Sequence, residues 1–417
     1  MSVPLPIPRG RRPARKSFYK GTHRLIDPEK TIERVLRLAP VMGITRIANV
    51  TGLDTIEIPV VMVCRPNSRS IAVSQGKGLT VATAKASGLM ESVEGYHAER
   101  ITLPLKLASY EELRYTHNVV DISELPQPRS GVFHPNLPLL WIEGRDLLQD
   151  ERTWIPYETV HLNHTLPLPP GTGCFAASSN GLASGNHLLE AISHGICEVV
   201  ERDAASLWDL KGANERQKTR IDLDSVDDPD CNEVLERFWR ARFCVAVWEI
   251  TSDIGIPAFL SLTVERAFNP LRPLPSSVGF GCHPARSIAL LRALTEGAQS
   301  RLTYISGSRD DLGRNAYECS ISETGWQSDL ARMEIQGRMR EFGDVPSFEG
   351  TTFDEDVIWE LDRLRSAGIA SVFFVNLTKP ELGVPVVRVV IPRLEPKDSL
   401  ADHVPGPRAQ EILQRNV

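Results

Sequence analysis

The stretch Ser178–Ala204, SSNGLASGNHLLEAISHGICEVVERDA, begins glycine-rich and ends as a helical pattern studded with carboxylates. Glu190, Glu198, Glu201 and Asp203 fall within fourteen positions of an otherwise small and apolar segment. A helix heading for a core does not need that much negative charge, because a desolvated carboxylate is costly. Whatever the charge serves decides how the rest of the chain is read.

The arrangement occurs three times. The segment SIAVSQGKGLTVATAKASGLMESVEGYHAER (70–100) runs from a strand-like start through a glycine turn into a helix carrying Glu91 and Glu94. SSVGFGCHPARSIALLRALTEGAQSRL (276–302) repeats that order and presents Glu296, Gln299 and Arg301. Gly78 precedes Glu91 by thirteen positions, and Gly185 precedes Glu198 by the same number. Set side by side, GLMESVEG, GICEVVER and ALTEGAQS each hold a polar pair at i and i+3, which share one helix face.

A single ExxE is as a rule a solvated face. Three copies flanked by Ala, Gly, Leu, Ile and Val, each after a strand and a glycine turn, point instead to convergence on divalent cations. Oxygen ligands without His or Cys neighbours suit Mg²⁺ rather than zinc, and Mg²⁺ usually holds phosphates. The glycine turns at the helix starts are expected to offer N–H groups to those phosphates. QGKG is not the GxxxxGK[ST] phosphate loop, so Lys77 reads equally as a phosphate clamp or a surface lysine. His187 and His194 read as satisfied helix histidines before ligands. Arg202 and Asp203, like Arg309 and Asp310, read as mutual pairs or helix caps. No G-x-S-x-G elbow or G-x-G-x-x-G loop competes.

The 417 residues, 41% hydrophobic and 24% charged, describe a globular enzyme large enough for one big core. A net charge of −6 argues against a nucleic-acid or anionic-membrane partner. The exception is the N-terminal arm, with Arg9, Arg11, Arg12, Arg15, Lys16, Lys20 and Arg24, which reads as a solvated tail, or else as a sink for phosphates or an acidic partner. No signal peptide or bilayer-length apolar run appears, and seven dispersed cysteines read as reduced thiols. The cytoplasm is the expected location.

Elsewhere, DPEKTIERVLRLAP predicts a helix with Asp27 as N-cap and Pro28 at its first position. Strands are expected at GITRIANV, IEIPVVMVCRP, LPLLWIEG, WIPYETVHL, FCVAVWEI, IPAFLSLTV, SVFFVNL and VPVVRVVIP. Helices are expected from about Arg286 and over 324–341 and 354–367. Interleaved strands and helices give an α/β (mixed α+β) class. Residues 1–66 read as a basic arm with a helix and strand extension, and 67–417 as one integrated catalytic domain.

These residues resemble a known family. NGLASGNHLLEAISHGICEVVERDA is similar to the signature of YcaO-domain proteins, and Ser87 with Glu91 upstream and Glu296, Gln299 and Arg301 downstream also fit its pattern. The resemblance runs from about residue 70 to the C-terminus. YKGTHR, ITRIANVTGLDTIEIPV and ISGSRDD further resemble the subgroup that works with TfuA-type partners to install backbone thioamides in peptides or proteins.

The resemblance implies a YcaO-type ATP-binding fold in which three acidic helices converge on a Mg-nucleotide site. It implies Glu91, Glu94, Glu198, Glu201 and Glu296 as metal ligands. Lys20, Lys77, Ser87, Asn186, Glu190, Gln299 and Arg301 are implied as nucleotide contacts. Glu198, Glu201, Arg202 and Arg301 stand as the catalytic set, with ATP and Mg²⁺ as cofactors. It also implies a precursor peptide or protein substrate, a TfuA-like partner, a sulfide source and a homodimer. Azoline formation and a non-catalytic peptide- or partner-binding scaffold are the alternatives. The ending AQEILQRNV lacks the Pro-rich tail common in azoline-forming members, which favours the thioamide. One departure stands out: the subgroup tends to carry Pro-Gly where IPRLEP has Arg393.

Overall fold

The computed structural model describes residues 12–309, 322–334, 337–396 and 403–415. Arg9, Arg11, Asp310 and Cys319 lie outside them. The chain runs α1 (Pro28–Met42), β1 (Arg46–Asn49), β2 (Val60–Cys64), β3 (Val73–Lys77), α2 (Val81–Glu99), β4 (Leu105–Ala108) and α3 (Tyr110–Leu113). It continues through β5 (Leu139–Asp146), β6 (Arg152–Pro156), β7 (Leu182–Ser184), α4 (Leu188–Asp209), α5 (Ala213–Gln217) and α6 (Pro229–Arg240). The remainder is β8 (Phe243–Glu249), β9 (Ala258–Glu265), β10 (Ser277–Cys282), α7 (Arg286–Ser306), α8 (Glu323–Met333), α9 (Phe353–Ser366), β11 (Phe373–Asn376), β12 (Val386–Val390) and α10 (Pro407–Arg415).

The strands form three antiparallel sheets, β1-β2-β3, β10-β9-β8 and β4-β5-β11-β12-β7, with β6 also paired to β5. The fold is mixed α/β, as the sequence predicts. Each repeated segment covers a different sheet: α2 packs on β3, α4 on β12 and β7, and α7 on β10 and β9. Strand β2 pairs with β3, so residue 66 lies between two strands of one sheet.

Close packing of strand on helix fixes where the carboxylates emerge. A Cβ on Gly76 of β3 would lie 2.0 Å from the Ala84 carbonyl and 2.0 Å from Gly88 N, so only glycine lets α2 settle there. Gly279 of β10 meets α7 in the same manner, 2.4 Å from Gly297 N. The central α4 is buried along most of its length by Leu189, Ile192, Ile196, Val200 and Trp208. It seats the largest core cluster against β9, β12 and α9.

Asp27 is the N-cap residue of α1 and Pro28 its first helical residue, as expected, although the Asp27 side chain makes no cap hydrogen bond and pairs with Lys30 at 3.4 Å. One local expectation is corrected. The helix expected over 324–341 ends at Met333. Arg340 is drawn into backbone pairing with Arg220 and Ile221, which holds that segment extended. The six described cysteines are free, and no described helix is long and apolar enough to cross a membrane.

Candidate active site

The three acidic helices open onto one cavity of about 520 Å³, a size within the usual range for a bound small molecule. It is lined by Lys20, Lys77, Ser87, Glu91, Glu94, Asn186, Glu190, Glu198, Glu201, Arg202, Glu296 and Gln299. Every site residue expected from the sequence is therefore brought together except one.

Arg301 is that exception. It is 2% exposed and pairs with Asp54 at 2.8 Å and with Glu265, its guanidinium lying over the Phe243 ring. At about 100° per residue it sits roughly 140° around the helix from Glu296, on the face away from the cavity. The expectation of a nucleotide contact or catalytic role for Arg301 is corrected accordingly; in this structure it braces α7.

Contacts between motifs fix the cavity walls. Glu94 of α2 accepts from the Ser184 N–H at 2.8 Å and its hydroxyl at 2.7 Å, tying the first motif to the second. Gln299 of α7 donates to the Gln75 carbonyl at 2.7 Å, while the Gln75 N–H donates to Glu91 at 3.2 Å. Lys77 meets Glu296 at 2.5 Å, joining the end of β3 to α7; QGK, expected as part of a glycine turn, is strand. At the other end, Glu190 accepts from Leu25 N at 3.4 Å and Asn186 N at 3.2 Å and faces Arg24 at 3.7 Å. Asn186 donates to Thr31 Oγ1 at 3.0 Å.

The YKGTHR segment supplies part of this end. Phe18 and Arg24 pair as a small hairpin whose residues Phe18, Lys20, Gly21, Thr22 and Arg24 line the cavity. Its base is held by the buried Lys16–Asp356 pair at 2.7 Å. The arm thus has a fixed place rather than being a solvated tail, at least from residue 12 onward.

Burial dominates the electrostatics. It pushes Glu91 up to about 7, against the Gln75 N–H, Lys77 and Arg309. It pushes Glu94 up to about 8 despite Ser184. Glu190 and Glu198 also rise through burial, opposed by Arg24 and Arg202 respectively. Burial lifts Glu201 to about 7, with the neighbouring Glu296 charge adding to it, while Lys77 and Arg202 outweigh burial at Glu296 and hold it down. These carboxyls are deep but face open cavity, so several remain half exposed. Desolvated carboxyls of this kind readily take up a proton or a cation, although Lys20, Lys77, Arg202 and Arg292 line the same cavity.

Two cavity positions escaped the sequence reading in whole or part. Arg292 lines the cavity four residues before Glu296, and i, i+4 spacing could have found it. Its Nη2 meets His194 Nε2 at 2.7 Å, so His194 is a satisfied helix histidine, as expected. His187 instead caps α4 by accepting from Leu189 N. Arg309, read as a structural residue, also lines the cavity. It follows the left-handed Gly307 that ends α7, so no helical period could have pointed to it.

One N–H in the first turn of each helix is taken up within the chain: Thr83 N donates to Thr80, Leu189 N to His187 and Arg286 N to Ser347. Positive side chains also stand on the cavity walls. Among the described residues, no three His, Cys, Asp or Glu side chains form a ready metal cage. Mg²⁺ does not require one, since it is commonly held by one or two carboxylates with phosphates and water completing its shell. Paired carboxylates on facing walls fit that mode.

Comparison with known proteins settles the family. The family model described as YcaO cyclodehydratase, ATP- and Mg²⁺-binding, matches residues 75–395. This chain belongs to the YcaO family. Its cofactors are ATP and Mg²⁺. A YcaO relative from Rhizobium leguminosarum bv. trifolii, named for its place in the tfuA 3′ region, is 36% identical over 89% of this chain and 88% of its own. A protein of Methanothermobacter thermautotrophicus is 34% identical over 89% of this chain and 94% of its own.

Among solved structures, YcaO from Methanopyrus kandleri, bound with AMPPCP and Mg²⁺, matches with a TM-score of 0.72 and 23% identity. That match covers 92% of this chain and 95% of the other. A heterocyclase in complex with substrate and cofactor matches at 0.76 and 24% identity, over 94% of this chain but 55% of its own. At these identities the likeness speaks for the YcaO fold. The protein is an ATP-dependent enzyme of that family.

Proposed function

We propose that this enzyme activates a peptide backbone amide by phosphorylating its oxygen, and that sulfide then completes a thioamide. The observation that carries the reading is the set of carboxylates on three walls of one cavity, interleaved with Lys77, Arg202 and Arg292. That arrangement suits phosphoryl transfer, where catalysis is mainly positioning and charge neutralisation.

Glu91, Glu94, Glu198, Glu201 and Glu296 would hold Mg²⁺, which when bound with the phosphates neutralises charge on the transferring group. Lys20, Ser87, Asn186, Glu190 and Gln299 would orient the nucleotide. Arg202, with Glu198 and Glu201, completes the proposed catalytic set. Arg202 and Arg292 would face the transferring phosphoryl group while Lys77 leaves Glu296 for phosphate.

Hydrosulfide adds to the amide carbon, and the former carbonyl oxygen takes the γ-phosphoryl group as ADP departs. Loss of the sulfur-bound proton then forms C=S as the C–O bond breaks and inorganic phosphate leaves. A precursor peptide or protein is the substrate, and a TfuA-like partner delivers sulfur. The name of the Rhizobium relative supports that partner, and so does the resemblance of YKGTHR and ISGSRDD to the TfuA-associated subgroup.

The family's description as cyclodehydratase favours a second reading, in which a Cys, Ser or Thr side chain replaces sulfide and an azoline forms. Both reactions pass through the same activated amide. A peptide carrying ¹⁸O in its amides tests that step: phosphate released with ATP should carry the label. Unlabelled phosphate alongside modified peptide would refute amide-oxygen phosphorylation.

A further inference from the structure

Arg388, on β12, is absent from the cavity lining yet sits at the heart of the fold, 2% exposed. Its Nε donates to the Thr159 carbonyl at 2.9 Å and its Nη2 to the Ser178 carbonyl, while Nη1 is buried without a hydrogen-bond partner. Neutral carbonyls do not balance a guanidinium. The carboxylate whose charge reaches it is Glu198. Burying such a cation is costly unless something else in the fold offsets it.

The segment Arg388 grips is the start of the decisive stretch. Within it, Asn180 N donates to Ser178 Oγ at 3.3 Å and Leu182 N to the Ser179 carbonyl at 2.9 Å. Gly181 stands at φ +79°, packed on α4 where a Cβ would fall 2.8 Å from Val199 Cγ2, with its N–H directed towards Glu198. From the other side, Val389 N donates to the Gly181 carbonyl at 2.7 Å. Any Cβ at Gly181 would fall 2.2 Å from the Val389 carbonyl. One strand therefore holds both ends of the turn whose middle N–H addresses Glu198.

We propose that Arg388 is a positioning residue for Glu198. By gripping the Thr159 and Ser178 carbonyls with its planar fork, it fixes the 178–181 turn, and the Gly181 N–H sets the Glu198 carboxylate before a divalent cation arrives. This rests on reading Glu198 as a Mg²⁺ ligand. Lysine keeps the charge but lacks the fork, so the proposal requires that Arg388→Lys not substitute.

Mn²⁺ binding, followed by the loss of its free-ion paramagnetic resonance signal with AMPPCP present, tests this on the full chain. Arg388→Lys should weaken Mn²⁺ about tenfold or more, the usual effect of removing an outer support of a metal ligand. Its affinity for AMPPCP in EDTA should stay within about twofold of wild type. Unchanged Mn²⁺ affinity, or an equal loss without metal, overturns the proposal. Glu198→Gln runs alongside: if it keeps full Mn²⁺ affinity, the metal reading fails and takes this proposal with it. If it loses Mn²⁺ while Arg388→Lys does not, this proposal alone fails. Should the variant not fold, hydrogen exchange on metal-free wild type decides: slow exchange at Gly181 is expected, and fast exchange there overturns the preset turn.

Discussion

Arg408 crosses from α10 to Asp203 on α4, placing Nε and Nη2 each 3.0 Å from the carboxylate oxygens. Asp203 is completely buried and also accepts from Glu395 N at 3.0 Å. The C-terminal segment is thereby tied to α4 two residues beyond Glu201. Among the described residues, Asp203→Asn leaves Arg408 with the mostly exposed Asp253 as its charged partner. Breaking a buried pair from one side costs on the order of 3 kcal/mol. Thermal unfolding should fall accordingly, and limited proteolysis should cut first within 403–415.

Removing Glu198 or Glu201 separates a metal-nucleotide enzyme from a scaffold. Glu198→Ala and Glu201→Ala should each weaken Mg²⁺-dependent nucleotide binding by more than about tenfold, or ~1.4 kcal/mol. Calorimetric titration checks this. Undiminished binding in both variants would contradict the site assignment.

Acidity carries a signed prediction. Burial raises Glu94 to about 8 from an ordinary 4.5, so the folded protein holds a proton that the unfolded chain has released. Folding then takes up protons, and stability in the metal-free state declines as pH rises from about 4.5 towards 8. Glu94→Gln cannot titrate, so it should gain stability over wild type progressively across that window when unfolding is followed in EDTA. Mg²⁺ with nucleotide should reverse the order.

Arg393 has φ +72°, the left-handed region where the subgroup tends to carry glycine. Its backbone N–H still reaches the Glu124 carbonyl at 2.7 Å, and its side chain lies 3.8 Å from the half-exposed Glu124 carboxylate. That exposed pairing is worth little, whereas relief of a left-handed side chain is worth roughly 0.5–1 kcal/mol. Arg393→Gly should therefore raise the unfolding midpoint without changing nucleotide binding.

The acidic pairs were legible because i, i+3 spacing survives any tertiary arrangement, and Glu91, Glu94, Glu198 and Glu201 all reach one cavity. Arg301 was misplaced because the motif records which residue recurs, not which face it takes, and two further steps along α7 turn it into the core. Asp203, which reads as paired with Arg202 or as a cap, pairs instead with Arg408, some two hundred residues away in the chain. Arg388 gave no signal either: in VPVVRVVIP it reads as an ordinary strand position, and only the carbonyls of Thr159 and Ser178 reveal its grip. Long-range pairings of this kind are what pattern and period do not carry.

The most direct test of the account is mass spectrometry of a candidate precursor peptide incubated with the enzyme, ATP, Mg²⁺, sulfide and a TfuA-like partner. Exchange of amide oxygen for sulfur after its departure as phosphate should add about 16 Da. A loss of about 18 Da that persists without sulfide would mark azoline formation and contradict the thioamide reading.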